Sequence, residues 1–327
     1  MFELKTSIYD HAIMNLLSTT KYFYWNNTSV FRKVSLSTNF LNSIATHYSG
    51  TQSIVHSDIE KYKSDLRHYF SSLTSKDKDF SSKVAVITGG GSGIGQSVAR
   101  RLSLGGWTVV LAGRRLERLQ ETEAMLNGNP CLCVATDVTV EKDVETLFQT
   151  IEETYGKVDL LFNNAGINSP ATSVEDVKYE DFEQVMKINV LGPFLCAKVA
   201  MKLMAKNGGG RIINNGSISS QVPRPHSVTY TTSKHAVNGL TKQLALDGRA
   251  LNVACGQIDF GNVVSELSLK MHAEEGALQP NGTKMKEPVV SMENATEAVW
   301  TMANLPLDTN VLNMTVMATK MPFVGRG

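Results

Sequence analysis

The segment TGGGSGIG, residues 88–95, places five glycines within seven positions. It follows 84–87, a short β-branched run typical of a buried strand, and precedes 94–104, where apolar residues recur at helical spacing. The glycines therefore predict a tight turn from a strand into a helix. Because glycine lets a ligand approach the backbone and a helix N-terminus attracts anions, the turn is predicted to bind the pyrophosphate of a dinucleotide. A plain glycine-rich turn is the alternative.

Strand-like and helix-like segments alternate from residue 83 onwards. This alternation predicts an α/β fold, a doubly wound, parallel, seven-stranded sheet of Rossmann type with three α/β/α layers. In such a sheet ligands bind beyond the carboxyl ends of the strands, where the glycine turn lies. The predicted strands are 84–88, 107–112, 131–135, 158–163, 210–216, 251–258 and 311–317.

Length and composition indicate one globular domain with an extension. The chain has 327 residues, 42% of them hydrophobic, and a net charge of +1, which does not favour nucleic acid as a partner. No apolar run approaches the roughly 18 residues needed to cross a bilayer, so no transmembrane segment is expected. We assign 83–327 to the catalytic domain and 1–82 to an N-terminal extension and linker.

The extension determines the predicted localisation. Residues 11–57 contain no Asp or Glu and are rich in Ser and Thr, which is typical of an organelle transit peptide. The scarcity of Arg in the same stretch instead favours a retained, loosely structured arm. We therefore predict a cytoplasmic protein, with a mitochondrial or other organelle location as the alternative.

The four cysteines do not suggest a metal site. Cys131, Cys133, Cys196 and Cys255 show no C-x-x-C spacing, and the histidines are scattered. Buried thiols are the expected state of all four, and no metal is predicted.

The end of the second predicted strand bears on which dinucleotide binds. An acidic residue here would hold the ribose hydroxyls of NAD, but this chain has Gly113, followed by Arg114 and Arg115. A guanidinium group binds phosphate well, and Arg114 is placed to meet the 2′-phosphate of NADP. NADP(H) is therefore preferred and NAD(H) remains possible. In the alternative interpretation both arginines simply begin a solvated helix over 115–125.

Several polar residues are predicted to meet at the ligand edge of the sheet. Tyr230 and Lys234 are four positions apart and share one helix face, where a positive charge favours the phenolate form of tyrosine. Ser217 follows the predicted strand 210–216. Asn189 precedes Pro193 by four residues, and because proline has no N–H, the helix is expected to bend and free the Asn189 carbonyl.

Together with N-N-A-G at 163–166, these motifs resemble the short-chain dehydrogenase/reductase family, over about residues 83–318. The resemblance implies that Tyr230 is the general acid/base and that Lys234 activates it and binds the nicotinamide ribose. Ser217 would hold the substrate oxygen, and the main-chain carbonyl of Asn189 would anchor a water that passes protons to Lys234. The implied cofactor contacts are Gly89, Ser92, Gly93, Ile94, Gly95, Arg114, Asp137, Val138, Asn163, Ala165, Gly166, Tyr230, Lys234 and Ile258.

The expected function is an NADP(H)-dependent oxidoreductase acting on a small alcohol or carbonyl compound. A catalytically weak dinucleotide-binding regulatory or scaffold protein on the same fold is the alternative. The resemblance also implies a homodimer or homotetramer formed through the helical segments 179–206 and 230–249.

The chain departs from the family pattern after the sixth predicted strand. Cys255 stands where the family has proline, and Phe260 where it has a threonine that helps hold the nicotinamide. The Ile258 backbone and the Asn262 side chain are the expected substitutes. The region 258–289, with a short helical pattern at 265–271, would cover the substrate, and its methionines line either an adaptable pocket or the core.

Overall fold

The computed structural model describes residues 83–126, 128–264 and 276–324. The predictions for the extension at 1–82 and for a helix at 265–271 lie outside these residues.

Seven parallel strands form one sheet in the order β3-β2-β1-β4-β5-β6-β7. This confirms the predicted doubly wound fold. The strand order reverses between β1 and β4, so the carboxyl ends of these two strands flank the crevice where such sheets bind ligands. The strands are β1 Val84–Thr88, β2 Thr108–Gly113, β3 Cys131–Ala135, β4 Leu160–Asn163, β5 Gly210–Asn215, β6 Val253–Phe260 and β7 Asn313–Val316.

Helices cover both faces of the sheet. Along β1, Val84 and Val86 face one apolar cluster, whereas Ala85 and Ile87 face the other, because successive side chains point to opposite sides of a strand. The first cluster includes side chains of α3, α5 and α6, and the second includes those of α1, α2 and α7. The helices are α1 Gly93–Leu104, α2 Leu116–Ala124, α3 Glu141–Tyr155, α4 Tyr179–Met186, α5 Gly192–Lys206, α6 Val228–Asp247 and α7 Met292–Asn304.

The helix that contains Asn189 is distorted where the sequence predicts a bend. Five residues, Lys187–Leu191, form a π-helical turn between α4 and α5, just before Pro193. The missing N–H of proline accounts for this local change in the hydrogen-bond pattern. Asn189 lies within this turn, and its side chain is buried.

Within the described ranges, the helical segment Tyr179–Lys206 is long and apolar enough to cross a membrane, with a mean hydropathy of 1.4 over its most apolar window. The expectation from the sequence that no apolar run is long enough to cross a bilayer is therefore wrong. Half of that window is buried in the protein. Leu195, Ala197, Ala200 and Met204 contribute to the apolar cluster on one face of the sheet, which explains the composition of the segment.

A buried ion pair connects the chain after β5 to the chain after β6. Arg224 donates from Nη2 to Glu287 Oε2 at 2.6 Å, and Gln279 and Asn262 also donate to this carboxylate. Burial raises the pKa of Glu287, but these hydrogen bonds and the Arg224 charge outweigh it and lower the pKa to about 2. The ion pair lies beside a short antiparallel ladder of Ala277–Leu278 with Lys284–Met285.

The lowered pKa makes a stability contribution that depends on pH. A carboxylate with a depressed folded-state pKa stabilises the fold above its ordinary pKa of 4.5, and this contribution is lost as the pH falls toward about 2. We expect urea unfolding of the wild type to lose more free energy across this interval than that of Glu287→Gln. Glu180→Gln, at an exposed position, is the control and should follow the wild type. Parallel pH profiles for wild type and Glu287→Gln would contradict the assignment.

Candidate active site

The glycine turn between β1 and α1 has the geometry of an anion site. Gly89 and Gly93 have φ values of +66° and +55°, which favour glycine. A Cβ on Gly95 would collide with the Gly89 carbonyl oxygen and the Asn164 amide. Among the described residues, the Ser92 side chain makes no capping hydrogen bond at the N-terminus of α1. The first N–H groups of α1 and its positive end therefore lie at the ligand edge of the sheet.

A pocket of about 240 Å³ opens at this edge. Of the predicted cofactor residues it is lined by Gly89, Ser92, Arg114, Asp137, Val138, Ala165 and Gly166. The predicted contacts did not include the further lining residues, of which Gly113 and Arg115 were already placed beside the dinucleotide by the sequence. These further residues are Gly91, Gly113, Arg115, Arg118, Leu119, Thr136, Ile167 and Ile188. Most of these residues are next to a predicted site residue in the sequence. Their position at the ends of the parallel strands could therefore have identified them. Arg118 and Leu119 lie within α2, and only the packing of that helix brings them to the pocket.

The other seven predicted cofactor residues do not line this pocket: Gly93, Ile94, Gly95, Asn163, Tyr230, Lys234 and Ile258. The Asn163 amide nitrogen donates to Asn214 Oδ1 at 2.9 Å and to the Pro193 carbonyl at 3.2 Å, inside the protein. Ile258 is fully buried in β6, and its carbonyl accepts from Gly216 N–H at 2.8 Å. Gly93, Ile94 and Gly95 form the first turn of α1 beside the pocket.

Asp137 and Arg114 set the charge at one side of the pocket. Asp137 Oδ1 accepts hydrogen bonds from the Thr139 N–H at 2.9 Å and the Thr139 hydroxyl at 2.8 Å. Burial raises the pKa of Asp137, but these hydrogen bonds and the nearby Arg114 charge lower it on balance. Asp137 is therefore held as an oriented carboxylate, and Arg114 is exposed at the same pocket.

Tyr230 and Lys234 lie together on α6, as predicted. The Lys234 ammonium is 5.4 Å from the centre of the Tyr230 ring and donates to the Asn215 carbonyl at 2.8 Å. Lys234 is buried and Tyr230 is half-buried. Ser217 follows β5 and begins the short turn Ile218–Ser220, against which α6 packs. Tyr230, Lys234 and Ser217 thus converge at the carboxyl end of β5.

The Asn189 side chain connects three parts of the site. Its Oδ1 accepts from the Ile167 N–H at 2.8 Å, and its Nδ2 donates to the Ile167 carbonyl at 2.9 Å. The same Nδ2 donates to the Ser233 hydroxyl at 3.1 Å, next to Lys234. These bonds fasten the π-helical turn to the chain after β4 and to α6. The role of the main-chain carbonyl of Asn189 in holding a water stays a prediction.

Asp259 is a residue of this site that the sequence interpretation missed. It is completely buried in β6, and its Oδ1 accepts from the Ser217 N–H at 3.0 Å. The Asp259 carboxylate fits here only because residue 216 is glycine, since a Cβ on Gly216 would collide with Asp259 Oδ1. The sequence did contain an indication of it, because Gln257 and Asp259 are polar residues at alternate positions of the buried strand β6. The other donors to the carboxylate are Gln257, Ser220, Gln221 and Asn313.

The two residues Phe260 and Asn262, where the chain departs from the family pattern, both have partners inside the protein. Phe260 is buried in the apolar core. Asn262 Oδ1 accepts from Arg224 at 3.2 Å, and its Nδ2 donates to Glu287 at 2.9 Å, so both ends of the amide have partners within the protein. Of the two methionines, Met285 is 40% exposed, and Met271 lies outside the described residues.

The expectation that all four cysteines are buried is wrong for two of them. Cys196 and Cys255 are buried, as expected, whereas Cys131 and Cys133 are only partly buried. Both lie on β3, which is an edge strand, so neighbours cover them less completely than they cover the central strands.

Comparison with known proteins agrees with this geometry. Residues 83–276 match the family model for short chain dehydrogenases, which is more than half of the chain. The chain belongs to the short-chain dehydrogenase family, oxidoreductases that act on CH–OH groups with NAD(P).

One similar protein is the 3beta-hydroxysteroid dehydrogenase of Mediterraneibacter gnavus, which is 38% identical over 181 residues, covering 55% of this chain and 65% of that enzyme. The solved structure of NAD+-bound xylitol dehydrogenase superposes with a TM-score of 0.65 at 28% identity, covering 73% of this chain and 99% of that one. The alcohol dehydrogenase of the archaeon Thermococcus sibiricus, complexed with 5-hydroxy-NADP, shares the fold with a TM-score of 0.64 at 23% identity, covering 73% and 98% of the two chains.

Asp259 provides a test of how the site is held. Asp259→Asn keeps the shape of the side chain. Its amide hydrogens, however, would face the N–H and O–H groups that donate to the carboxylate, so donor would meet donor. We expect the free energy of unfolding in urea to fall by about 1–3 kcal/mol. The control is Asp247→Asn, at the exposed end of α6, which should lie within about 0.5 kcal/mol of the wild type. Equal stabilities for the two variants would show that the buried carboxylate is not needed.

Proposed function

We propose that this chain is an NADP(H)-dependent oxidoreductase that interconverts an alcohol and a carbonyl compound, with Tyr230 as general acid/base. The observation that carries the proposal is the position of Tyr230 beside the buried Lys234 ammonium, at the same sheet edge as the glycine turn. A dinucleotide bound at that turn and a proton donor at the end of β5 are the two parts that such a reaction needs.

The residues at the pocket fit a dinucleotide. A Cβ on Gly95 would collide with the Gly89 carbonyl oxygen, so glycine is needed here for the close packing of the turn. The Gly89 and Gly90 N–H groups donate to the Ala112 carbonyl, and the first N–H groups of α1 are the ones that would meet a pyrophosphate. Asp137 and Val138 lie at the end of β3, on the side where the adenine would bind. Tyr230 and Lys234 would hold the nicotinamide ribose.

The preference for NADP(H) rests on the charge of the pocket. Arg114, Arg115 and Arg118 line it, and Gly113 occupies the place of a ribose-binding acid. Arg118 Nη1 already pairs with Glu121 Oε2 at 2.7 Å, which favours Arg114 as the ligand of a 2′-phosphate.

The bound nicotinamide would supply or accept the hydride at the substrate carbon. The protein would move the proton: the Tyr230 hydroxyl would donate it to the carbonyl oxygen during reduction, and the Tyr230 phenolate would accept it from the alcohol during oxidation. Lys234 stabilises the resulting phenolate through its positive charge. Ser217 Oγ accepts from the Ser219 N–H at 3.1 Å, which leaves the hydroxyl hydrogen available for the substrate oxygen.

We also propose that the chain assembles as a homodimer or homotetramer through α5 and α6. Three large apolar side chains on or beside these helices, Leu191, Phe194 and Leu246, are between 39% and 52% exposed, which supports this proposal. A cytoplasmic location remains the proposed one, with an organelle as the alternative.

The cofactor preference is tested by titrating the full-length protein with NADPH and with NADH. We expect NADPH to bind more tightly. In Arg114→Ala the loss of a charge-assisted contact to phosphate should weaken NADPH binding about tenfold or more and leave NADH binding nearly unchanged. Arg249→Ala removes the same charge at an exposed position on another part of the surface and is the control. Equal loss for both dinucleotides in Arg114→Ala would contradict a phosphate contact.

The acid/base role is tested with Tyr230→Phe. We expect this variant to bind NADPH like the wild type and to lose about 10²–10⁴-fold in turnover, because only the proton-transferring hydroxyl is removed. The measurement is NADPH oxidation with a panel of ketones that includes 3-ketosteroids and ketoses. Tyr179→Phe removes an exposed hydroxyl on α4 and is the control. Turnover in Tyr230→Phe close to that of the wild type would refute the role, and cofactor binding without any turnover in the wild type would favour a regulatory protein.

A further inference from the structure

Two thiols and a carboxylate meet at one edge of the sheet. Cys131 and Cys133 are two positions apart on the edge strand β3, so their side chains share one face. Glu123 comes from the last turn of α2, which packs on that face. The two sulfur atoms and a carboxylate oxygen all lie within 4.8 Å of one another, and Cys133 Sγ is 3.6 Å from Glu123 Oε2.

This arrangement has the composition and size of a metal site. Thiolates select thiophilic ions such as Zn²⁺, and a carboxylate is a common further ligand. In a tetrahedral site with Zn–S bonds of about 2.3 Å, two sulfur atoms lie about 3.8 Å apart. The three groups therefore need only small side-chain rotations to reach one ion.

A disulfide or a reactive thiol fits the same residues less well. Residues two apart on a strand have Cα atoms about 6.6 Å apart, near the upper limit for a disulfide. The Glu123 carboxylate, with Oε2 3.6 Å from Cys133 Sγ, places a negative charge beside the thiols, which opposes a free thiolate. A divalent cation would neutralise the same cluster.

We propose that Cys131, Cys133 and Glu123 bind one thiophilic divalent cation of the zinc type, with water completing a tetrahedral site. On binding, each thiol releases its proton to solvent and forms a metal–sulfur bond, so no oxidant or reductant is needed.

The site would stabilise the cofactor pocket from outside. It fastens α2, which carries Arg118, to β3, whose end leads to Asp137, and these two residues line the pocket. The proposed ion is therefore structural, and it does not depend on the proposed enzymatic function.

The test is a Co²⁺ titration of the full-length protein with its thiols reduced. We expect one equivalent of Co²⁺ to produce the near-ultraviolet absorption of cobalt–thiolate bonds and Zn²⁺ to abolish it by displacement. Binding of Zn²⁺ to the folded state should also raise the thermal midpoint of the protein. The absence of thiolate absorption in the reduced wild type would overturn the proposal.

Variants assign the ligands. We expect Cys131→Ser and Cys133→Ser to lose the absorption, and Glu123→Gln to weaken Co²⁺ binding about tenfold or more, which is about 1.4 kcal/mol. Glu121→Gln changes the same charge on the same helix and should bind Co²⁺ like the wild type. Absorption that survives in both cysteine variants, or equal weakening in the two glutamate variants, would overturn the assignment.

A second measurement avoids any effect of the variants on folding. In the wild type, Zn²⁺ should protect Cys131 and Cys133 from alkylation, as read by mass spectrometry of the peptides. Cys196 and Cys255 are buried and serve as internal controls, since their slow alkylation should not change with Zn²⁺. Alkylation of Cys131 and Cys133 at the same rate with and without Zn²⁺ would refute the site.

Discussion

The amide of Asn164 connects the ends of three central strands. Its nitrogen donates to the Thr88 carbonyl at 3.0 Å, at the end of β1, and its oxygen accepts from Asn215 Nδ2 at 2.9 Å, at the end of β5. The Asn215 carbonyl in turn accepts from Lys234 on α6. The glycine turn and the Tyr230–Lys234 pair are thus joined by a short chain of hydrogen bonds across the carboxyl edge of the sheet. The distance between the glycine turn and the Tyr230–Lys234 pair is set by this chain of contacts, because parallel strands hold their ends in register.

A second group of buried polar side chains supports the segments around Ser217. Asp259 gathers donors from β6, β7 and the turn after β5, and a buried carboxylate is tolerated only when it is fully hydrogen-bonded. Arg224 and Glu287 make a separate buried pair that holds the chain before α6. These contacts occupy the region in which the chain departs from the family pattern. The departure from the family pattern at Cys255 and Phe260, within β6, is therefore accompanied by hydrogen bonds of Asp259, in the same strand, and of Asn262 and Glu287 after it.

The parts of the fold that follow from local physics were predictable. The central strands are short, mostly apolar runs, as the sequence pattern predicts. Pro193 indicated the distortion at Asn189, since a missing N–H acts on the nearest turn whatever the tertiary context. The positions of Asp137 and Ser217 just after strand ends were also predictable, whereas their roles stay predictions. Asn163 and Ile258 were assigned to the cofactor, but their orientation depends on neighbouring strands, and Asn163 turns inward to Asn214. The partial burial of Cys131 and Cys133 likewise depends on β3 being the edge of the sheet.

The sequence by itself determined the alternation of strands and helices, the glycine turn, and the spacing of Tyr230 and Lys234 on one helix face. Each of these depends on residues a few positions apart, where backbone geometry allows few arrangements. Only the tertiary structure decided that Asp259 lies behind Ser217, that Arg118 reaches the pocket, and that Glu123 approaches two cysteines on another element. Those contacts join residues far apart in the chain, and they exist because the packing of helices on a twisted sheet brings the elements together.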